Sequence, residues 1–292
     1  MSSLDFSVII PTCERPAALR RCLGSAVRLE YPRDRVEVIV VNDGGSHTIE
    51  NVVDEFASGA TIRVYHRENG GPAAARNTGM GEARGRHLVF LDDDCEVSAD
   101  ALNELTALFR CHPDALIGAR QSNALTANAC AALSQMVLDV VYEVYNPGPE
   151  NTSFIASYFL AASADLLEAA GGFDVAFRIS EDRELCDRWR SLGRGIVVAD
   201  NIHVRHHHDL TLKGLWRQHF AYGQGAYAYH RRRASLGRGG LKIERGFYRA
   251  LMAAPFRAAH RRTALLLSLL LLYQQVANAA GYLYARLRTD AS

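Results

Sequence analysis

Three consecutive aspartates, Asp92, Asp93 and Asp94, end the apolar segment that begins at Val89. Adjacent carboxylates repel one another unless a cation or surrounding water compensates their charge. Oxygen ligands of this kind suit Mg²⁺ or Mn²⁺, which bind one or two carboxylates and take their remaining ligands from water and substrate phosphates. The run alone leaves two interpretations open: a metal site that holds a phosphorylated substrate, or a solvated turn in which Asp94 caps the next helix.

Repeated βα units must position these aspartates. Short apolar runs predict strands at FSVII, VEVIVV, TIRVYH and HLVFL. Helices are predicted to begin near Pro16, Ser46, Pro72 and Ser98, because proline suits the first helical turn and serine can cap its free N–H groups. This alternation predicts an α/β fold of the Rossmann-like type, with a mixed, mostly parallel sheet flanked by helices.

In such a sheet, ligands bind where the carboxyl ends of the strands meet. Pro11, Thr12 and Cys13 follow the first predicted strand, Asp43 follows the second, and the aspartate run follows the fourth. The loop PTCERP after the first strand has no glycine, so it is neither a dinucleotide-binding turn nor a P-loop. Phosphates bound at this edge therefore need another source of positive charge, which favours the metal interpretation.

Composition and charge narrow the class of protein. The chain has 292 residues, which suffice for a large core, and its formal net charge of +1 argues against a nucleic-acid-binding protein. Six cysteines are scattered without CxxC pairs, which predicts reduced thiols in the cytoplasm. No basic leader with a long apolar region precedes Pro11, so we expect no secretory signal.

Five segments resemble, in order, those of a family 2 glycosyltransferase of the GT-A fold. They are SVIIPTCERPAALRRCLGSA, VEVIVVNDGG, ENGGPAAARNTGMGEARGRHLVFLDDD, GGFDVAFRISEDRELCDRWRSLG and RQHFAYGQGA. The resemblance covers roughly the first three-quarters of the chain, and several motifs in the same order are more specific than any one of them.

The resemblance implies a metal-dependent, inverting sugar transfer from a nucleotide-sugar, with UDP- or dTDP-type donors favoured. It implies that Asp43 recognises the base and that Asp92 and Asp94 form the D-x-D pair at the ribose and the metal. Asp182, in the ED motif, is implied to be the catalytic base. The expected cofactor is Mn²⁺ or Mg²⁺. The sequence departs from the pattern at Glu184, where many relatives carry Asp.

Other residues complete the predicted donor and acceptor sides. Arg76 and Asn77 lie on the helix after the third strand, where a guanidinium could face the diphosphate or the nucleoside, with a solvated helix arginine as the alternative. Glu181 and Trp189 are predicted on the acceptor side. The predicted nucleotide-sugar-binding set also includes Pro11, Thr12, Glu14, Arg15 and Asp93.

A histidine cluster, NIHVRHHHDLT, follows the predicted strand GIVVA. The resemblance points to His206, in the V-x-H register, as a metal ligand, with His208 as the alternative. A neutral imidazole is an acceptable ligand for Mn²⁺ and less natural for Mg²⁺.

The C-terminal tail differs in character from the rest of the chain. An apolar segment that begins at Thr263 is about long enough to cross a bilayer and is flanked by Arg261, Arg262, Arg286 and Arg288. Three interpretations remain open: a helix packed on the protein or a partner subunit, an interfacial membrane helix, and a weak transmembrane span. The cationic flanks favour an anionic membrane surface.

We predict a GT-A-like catalytic domain over residues 1–229 and a basic, apolar helical extension over residues 230–292. The expected protein is a glycosyltransferase of cell-envelope polysaccharide or glycolipid synthesis, cytoplasmic and peripheral on the inner face of the membrane. Its expected partners are a nucleotide-sugar donor, a sugar, lipid-linked or glycan acceptor, an anionic membrane surface and a second copy of the chain through the C-terminal helices.

Two other classes of protein fit the sequence less well. A sugar-phosphate nucleotidyltransferase would carry a glycine-rich loop after the first strand, which PTCERP is not. A non-catalytic nucleotide-sugar-binding membrane scaffold would not need the acidic residues that the resemblance identifies, which are all present: Asp43, Asp92, Asp94 and Asp182.

Overall fold

The structure is a computed structural model that describes residues 4–45, 49–57, 59–240, 244–258 and 261–290. The chain divides into two compact units. The first comprises Met1–Ser122, Thr152–Ala176 and Glu181–His207, and the second comprises Asn123–Asn151, Phe177–Ser180 and His208–Ser292.

The first unit is built on an eight-stranded mixed sheet. Its strands are β1 (Phe6–Thr12), β2 (Val36–Asp43), β3 (Ile62–Arg67), β4 (His87–Leu91), β5 (Cys95–Val97), β6 (Leu116–Asn123), β7 (Phe159–Ser163) and β8 (Ile196–His206), in the order β3-β2-β1-β4-β7-β6-β8-β5. β1 pairs in parallel with β2 and β4, and β2 with β3. β7 is antiparallel to β4 and β6, and β5 is antiparallel to β8. The predicted fold class is confirmed.

The described residues form ten α-helices. They are α1 (Pro16–Ala26), α2 (Glu50–Asp54), α3 (Pro72–Glu82), α4 (Ala101–Cys111), α5 (Ala129–Tyr145), α6 (Ala164–Ala169), α7 (Glu181–Ser191), α8 (Leu212–Ser235), α9 (Arg245–Ala258) and α10 (Arg261–Asp290). Pro16 and Pro72 begin α1 and α3, as predicted. Ser46 lies outside the described residues.

A helix does begin near Ser98, but the capping role predicted for Ser98 is wrong. Strand β5 follows the aspartate run directly, and α4 begins only at Ala101. The Ser98 hydroxyl accepts a hydrogen bond from the backbone N–H of His203 and caps no helix. A three-residue strand is too short to show a periodic pattern, which is why the sequence did not predict β5.

The core of the first unit lies between the sheet and helix α7. Phe90 of β4 contacts Phe173 edge to face, with ring centroids 5.1 Å apart. Leu185 and Trp189 of α7 are fully buried in the same cluster as Ile9 of β1. This packing fixes the first turn of α7 relative to the strands that carry the aspartates.

The second unit is helical, and its helices α8 and α10 pack with their backbones in contact. A Cβ atom added at Gly223 would overlap the backbone oxygen of Asn278, and one added at Gly281 would overlap the backbone oxygen of Phe220. Only glycine permits this approach. The boundary predicted between residues 229 and 230 falls inside α8, and the division into catalytic domain and extension stays a prediction.

Helix α10 buries a polar residue and leaves several of its leucines exposed. Gln274 is buried and hydrogen-bonds His219 of α8 at 3.2 Å, and burial lowers the pKa of His219 to about 4. Leu269 and Leu272 are 60% and 63% exposed. Among the described residues, α10 is the one helix whose length and composition would allow it to cross a membrane.

Candidate active site

The carboxyl ends of β1, β2 and β4 lie side by side, because β1 is the middle strand of the three. Thr12, at the end of β1, donates a hydrogen bond to Asp93, which follows β4, at 2.6 Å. The structure therefore joins residues 81 positions apart in sequence, as the predicted parallel sheet requires. Pro11 and Thr12 are themselves buried in β1.

The middle aspartate of the run is a structural residue. Asp93 is fully buried, and its carboxylate contacts Thr12 and the guanidinium of Arg15, with 2.5 Å to the latter. Burial raises the pKa of Asp93 to about 7, although Arg15 favours the ionised form. Asp93 was predicted to bind the nucleotide-sugar, and we correct this: its side chain has no exposed surface and instead anchors the loop after β1.

Asp94 and His206 form a second pair at this edge. The antiparallel pairing of β5 with β8 sets Cys95 opposite His206, which brings His206 Nε2 to 3.2 Å from Asp94 Oδ1. The other oxygen of Asp94 accepts from Arg15 at 2.7 Å. His208, the alternative ligand, is 3.2 Å from Gln218. The geometry favours His206 over His208.

The donor atoms at Asp94 suit a hard divalent cation. Asp94, Cys95 and His206 each offer a ligand atom within 4.8 Å of the others. Burial and the nearby aspartates raise the pKa of the Cys95 thiol well above its ordinary value, so it stays neutral and is a poor ligand. The carboxylate and imidazole that remain fit Mn²⁺, which takes its other ligands from water and phosphate oxygens.

Asp43 organises the loop between β3 and α3. Its carboxylate contacts Arg67 and accepts from the backbone N–H groups of Gly70 and Gly71, at 3.1 and 2.8 Å. These contacts use three of about four acceptor positions on a carboxylate. One position thus remains for a base N–H, and the role predicted for Asp43 stays a prediction. Gly44, which follows, has the left-handed φ of 81° that the predicted turn requires.

Arg76 joins the aspartate run to helix α7. Its guanidinium is buried, with Nη2 at 2.7 Å from Asp92 Oδ1 and Nη1 at 2.8 Å from Glu181 Oε1. Both acids raise the pKa of Arg76 further above its ordinary value, against the effect of burial. The alternative of a solvated helix arginine therefore does not describe Arg76, and the predicted contact with the diphosphate or the nucleoside stays a prediction.

Asn77 also makes a structural contact. Its amide nitrogen donates to the backbone oxygen of Phe173 at 2.7 Å, and its amide oxygen accepts from the N–H of Phe173 at 2.9 Å. Both ends of the amide are used within the protein, so we assign Asn77 to fixing the loop before α7 in place of the predicted nucleotide contact.

Asp182 is in the first turn of α7, where the helix dipole favours a carboxylate. Its Oδ1 accepts from the N–H of Arg183 at 2.7 Å, and it forms no ion pair with any described residue. Burial and the adjacent Glu181 raise the pKa of Asp182 to about 7. Ser180, directly before this turn, has a φ of 72°, and strain of this kind is concentrated at functional sites.

The other two acids in the first turn of α7 are paired. Glu181 binds Arg76, and Glu184 binds Arg188, which also donates to the backbone oxygen of Gly172 at 2.7 Å. Glu184, which replaces the Asp of many relatives, therefore forms an ion pair within the protein. Of the three acids in this first turn, Asp182 is therefore the one best suited to accept a proton.

Trp189 does not lie on an acceptor-binding surface. It is fully buried, and its indole N–H donates to the backbone oxygen of Asp114 at 3.1 Å. We correct the predicted acceptor contact to a packing role, because the α7 pattern that suggested it is equally that of a helix anchored in the core. Glu14 is exposed and has a left-handed φ of 56°, directly before Arg15.

Sequence reasoning missed two residues of this site. Arg67 is opposite Asp43 in the parallel register of β2 and β3, and Tyr158 stacks on His206 at 6.3 Å between ring centroids. Arg67 could have been predicted from its position at the end of β3, because ligands bind where the carboxyl ends of parallel strands meet. No local pattern marks Tyr158.

Comparison with known proteins agrees with this geometry. A family model described as glycosyl transferase family 2 matches residues 7–162. The pre-mycofactocin glycosyltransferase of Mycobacterium tuberculosis is 29% identical over 232 residues, which cover 77% of this chain and 47% of the relative. The poly(ribitol-phosphate) β-N-acetylglucosaminyltransferase TarS of Staphylococcus aureus is 27% identical over 117 residues, which cover 39% of this chain and 20% of the relative. The matched segments thus span less than half of each curated relative.

Solved structures show the same fold. The mannosyltransferase PcManGT from Pyrobaculum calidifontis, in complex with GDP-Man and Mn²⁺, aligns over 97% of this chain and 88% of its own, with a TM-score of 0.66 and 18% identity. Staphylococcus aureus TarS in complex with UDP-GlcNAc aligns over 96% of this chain and 89% of its own, with a TM-score of 0.55 and 17% identity. Since the family model covers more than half of the 292 residues, the chain belongs to glycosyl transferase family 2 and has the GT-A fold.

Proposed function

We propose that this chain transfers a sugar from a nucleotide-sugar to an acceptor hydroxyl, with inversion at the anomeric carbon and with the help of a divalent metal. The observation that carries this proposal is that the first unit contains two chemically distinct groups. One is the Asp94–His206 pair at the carboxyl edge of the sheet, and the other is Asp182, whose pKa is about 7 and which forms no ion pair with the residues that the structure describes.

Asp94 and His206 are the residues that would hold the metal. Bound there, Mn²⁺ or Mg²⁺ would neutralise the charge that develops on the departing nucleoside diphosphate. Asp92 is 29% exposed and its second carboxylate oxygen has no ion pair among the described residues, which supports a contact with the ribose. Arg15 lies beside Asp94 and supplies positive charge at the same edge.

Asp182 would be the general base. Its carboxylate takes the proton of the acceptor hydroxyl as that oxygen attacks the anomeric carbon and the bond from that carbon to the diphosphate oxygen breaks. A base with a pKa near the working pH is ionised in a large fraction of molecules and still binds a proton well. One base and one leaving group are sufficient for a single displacement, which inverts the configuration.

The donor nucleotide is kept open between two types. UDP- or dTDP-sugars were favoured from the sequence, and TarS is solved with UDP-GlcNAc. PcManGT is solved with GDP-Man, and it is the more similar of the two structures by TM-score. Asp43 is the proposed base contact in either case, because it retains an acceptor position for a ring N–H.

For the acceptor and the location, we propose a sugar, lipid-linked or glycan acceptor of cell-envelope synthesis, used at the cytoplasmic face of the membrane. The name of TarS, which acts on poly(ribitol-phosphate), supports a cell-envelope role. The basic C-terminal helices support a peripheral membrane location.

The first expected result concerns donor and metal. Purified protein, incubated with UDP-, dTDP- and GDP-sugars, should release nucleoside diphosphate from one class of donor in the presence of Mn²⁺ or Mg²⁺. EDTA should reduce the release to background, because the diphosphate charge is then uncompensated, and excess Mn²⁺ should restore it. Full activity in EDTA with every donor would contradict the metal assignment and leave the transferase assignment standing.

A further inference from the structure

We infer that the exposed side of helices α9 and α10 docks flat on a bilayer that contains anionic lipids. This inference deepens the membrane location proposed above by naming the surface, its orientation and the lipid chemistry. It follows from the charge distribution along the chain, the exposed residues of the two helices and the way α10 is packed.

Charge is divided unequally between the two ends of the chain. Residues 212–292 contain 14 Lys and Arg and two Asp and Glu, a formal charge of +12. The preceding 211 residues contain 19 Lys and Arg and 30 Asp and Glu, a formal charge of −11. A near-neutral protein thus concentrates its positive charge in the segment that carries the apolar helices, which is the pattern attracted to anionic lipid.

Helix α9 places apolar and basic side chains side by side in solvent. Met252 and Phe256 are 64% and 69% exposed, one helical turn apart. Arg245 and Arg249 are exposed on the same helix, which contains no acidic residue. Large apolar groups next to arginines allow insertion among the acyl chains together with contact to lipid phosphates.

Helix α10 adds a longer apolar stripe. Six of its nine exposed large side chains recur at intervals of three, four or seven residues: Leu265, Leu269, Leu272, Val276, Leu283 and Leu287. No charged residue lies between Thr263 and Ala285, and arginines occur at both ends. A free apolar stripe of this length in water is costly for a soluble protein.

The packing of α10 favours a helix that lies on the membrane over one that spans it. One side of the helix contacts the α8 backbone at Gly223 and Gly281 and buries Gln274 against His219. Only the opposite side is available to lipid. Leu251 of α9 and Leu267 and Leu271 of α10 share one buried cluster, so the exposed sides of both helices point away from it.

The spacing of this apolar stripe would also allow it to pack against α10 of a second copy of the chain. The arginines at its ends make such a dimer unfavourable. In a two-helix seam, acidic and basic residues flanking the apolar positions usually pair across the interface. Here the ends of the stripe carry Arg261, Arg262, Arg286 and Arg288, and Asp290 is the one acidic residue on the helix. Two copies would bring like charges together, whereas lipid phosphates would neutralise them.

Flotation of the full-length protein with vesicles tests the inference. We expect binding to phosphatidylcholine vesicles that contain phosphatidylglycerol, weak binding to phosphatidylcholine alone, and release as salt is added. Leu269→Gln with Leu272→Gln should lower the partition coefficient by at least about tenfold. Arg245→Gln and Arg249→Gln should each lower it by about fivefold. Matched controls outside the surface, Leu192→Gln and Arg110→Gln, should bind as the parent does.

Two results would overturn the inference. One is a parent protein that ignores both kinds of vesicle. The other is a dimer seen by analytical ultracentrifugation without lipid and lost in the Leu269→Gln, Leu272→Gln variant, which would assign the stripe to a second copy. All substituted side chains are exposed, so unchanged melting temperatures should verify that the variants fold. Nucleoside diphosphate release in solution, measured on the same proteins, distinguishes a failure of docking from a failure of the proposed transfer.

A second, independent observation concerns Arg76. We also infer that Arg76 is a positioning residue that couples the donor side of the site to the general base, and this inference rests on the proposed function. Its guanidinium contacts Asp92 and Glu181, at 2.7 and 2.8 Å, and Glu181 is the neighbour of Asp182. With a 3% exposed side chain, Arg76 has no surface for direct contact with substrate.

The charges around Asp182 define what loss of Arg76 should do. Glu181 raises the pKa of Asp182, while Arg76 from α3 and Arg183 from α7 lower it, and Cys186, one turn along α7, is a neutral thiol. Removing Arg76 leaves the charge of Glu181 uncompensated. Asp182 would then hold its proton to higher pH, so activity that needs ionised Asp182 would begin at higher pH.

The expected result for Arg76→Gln is a fall in kcat that exceeds the rise in donor KM, with the acid limb of the pH–rate profile moved to higher pH. Adding Glu181→Gln should return the limb towards that of the parent, because the uncompensated charge is removed. Arg84→Gln, an exposed arginine just after α3, should leave the profile unchanged. An acid limb that does not move in Arg76→Gln, with loss of thermal stability alone, would reduce Arg76 to a structural role.

Discussion

Substitution of Asp182 by Asn should abolish most turnover while donor binding is retained. The amide has the shape of the carboxylate and can still accept the hydrogen bond from the N–H of Arg183, so the first turn of α7 should be preserved. It cannot accept the proton of the acceptor hydroxyl. Loss of a general base typically costs about a hundredfold or more in rate. Steady-state kinetics and donor titration on the same protein measure both quantities.

The pH dependence gives the same prediction a second readout. With a pKa of about 7, Asp182 is ionised above neutral pH and protonated below it, so kcat/KM of the parent should rise with pH and level off above about 7. The residual activity of Asp182→Asn should lack this acid limb. Glu184→Gln is the matched control: it breaks the pair with Arg188 and should lower stability more than turnover. Turnover of Asp182→Asn within a few-fold of the parent would transfer the base role to another acid.

The sheet and the placement of the aspartates could be predicted because the signals are local. Continuous apolar runs such as the buried β1 are typical of parallel strands covered on both faces, and each predicted run ended at a polar residue that the structure brings to one edge. Pro16 and Pro72 marked helix starts for a reason that does not depend on tertiary contacts. These features rest on a few neighbouring residues each.

The contacts that complete the site depend on register, which the sequence does not encode locally. His206 reaches Asp94 because β8 continues well past the predicted strand GIVVA and pairs with the short β5. Arg76 was recognised as a site residue, but its partner Glu181 is 105 positions away in sequence. No residue near Arg76 in sequence indicates that its guanidinium forms ion pairs inside the protein. Trp189 was misassigned because a motif does not show which of its residues face inward.

The C-terminal tail shows the same limit in another form. Length, apolar composition and arginine flanks favoured α10 as a membrane-associated helix, yet the sequence did not decide between packing, docking and spanning. Gly223 and Gly281 permit a close backbone contact between α8 and α10, and this contact buries one side of α10. That side is therefore not available to lipid. Gln274 is buried on the same helix as Leu267 and Leu271, while Leu269 and Leu272 are exposed, so burial along α10 does not follow polarity alone.

Substitution of Asp94 by Ala should remove the effect of metal on nucleotide binding. In the parent, Mn²⁺ should raise the affinity for the nucleoside diphosphate of the active donor class, measured calorimetrically, by more than about tenfold, because a cation held by Asp94 and His206 would compensate the charge of the diphosphate. Asp94 contributes the carboxylate, with His206 at 3.2 Å, so the alanine variant retains an imidazole alone. The affinity should then be the same with and without Mn²⁺.

Controls can distinguish loss of metal binding in Asp94→Ala from disruption of the loop after β1. Asp94→Ala also removes one contact of Arg15, but Arg15 keeps its 2.5 Å ion pair with buried Asp93, so the loop after β1 should remain in place. His206→Gln should weaken the Mn²⁺ effect through the other ligand, and the exposed Asp100→Ala should leave it intact. Titration of Mn²⁺ followed by electron paramagnetic resonance reports the ion directly. If Asp94→Ala and the parent bind nucleotide equally well, with the same response to Mn²⁺, the cation is not held by Asp94, and the carboxylate serves only to orient Arg15.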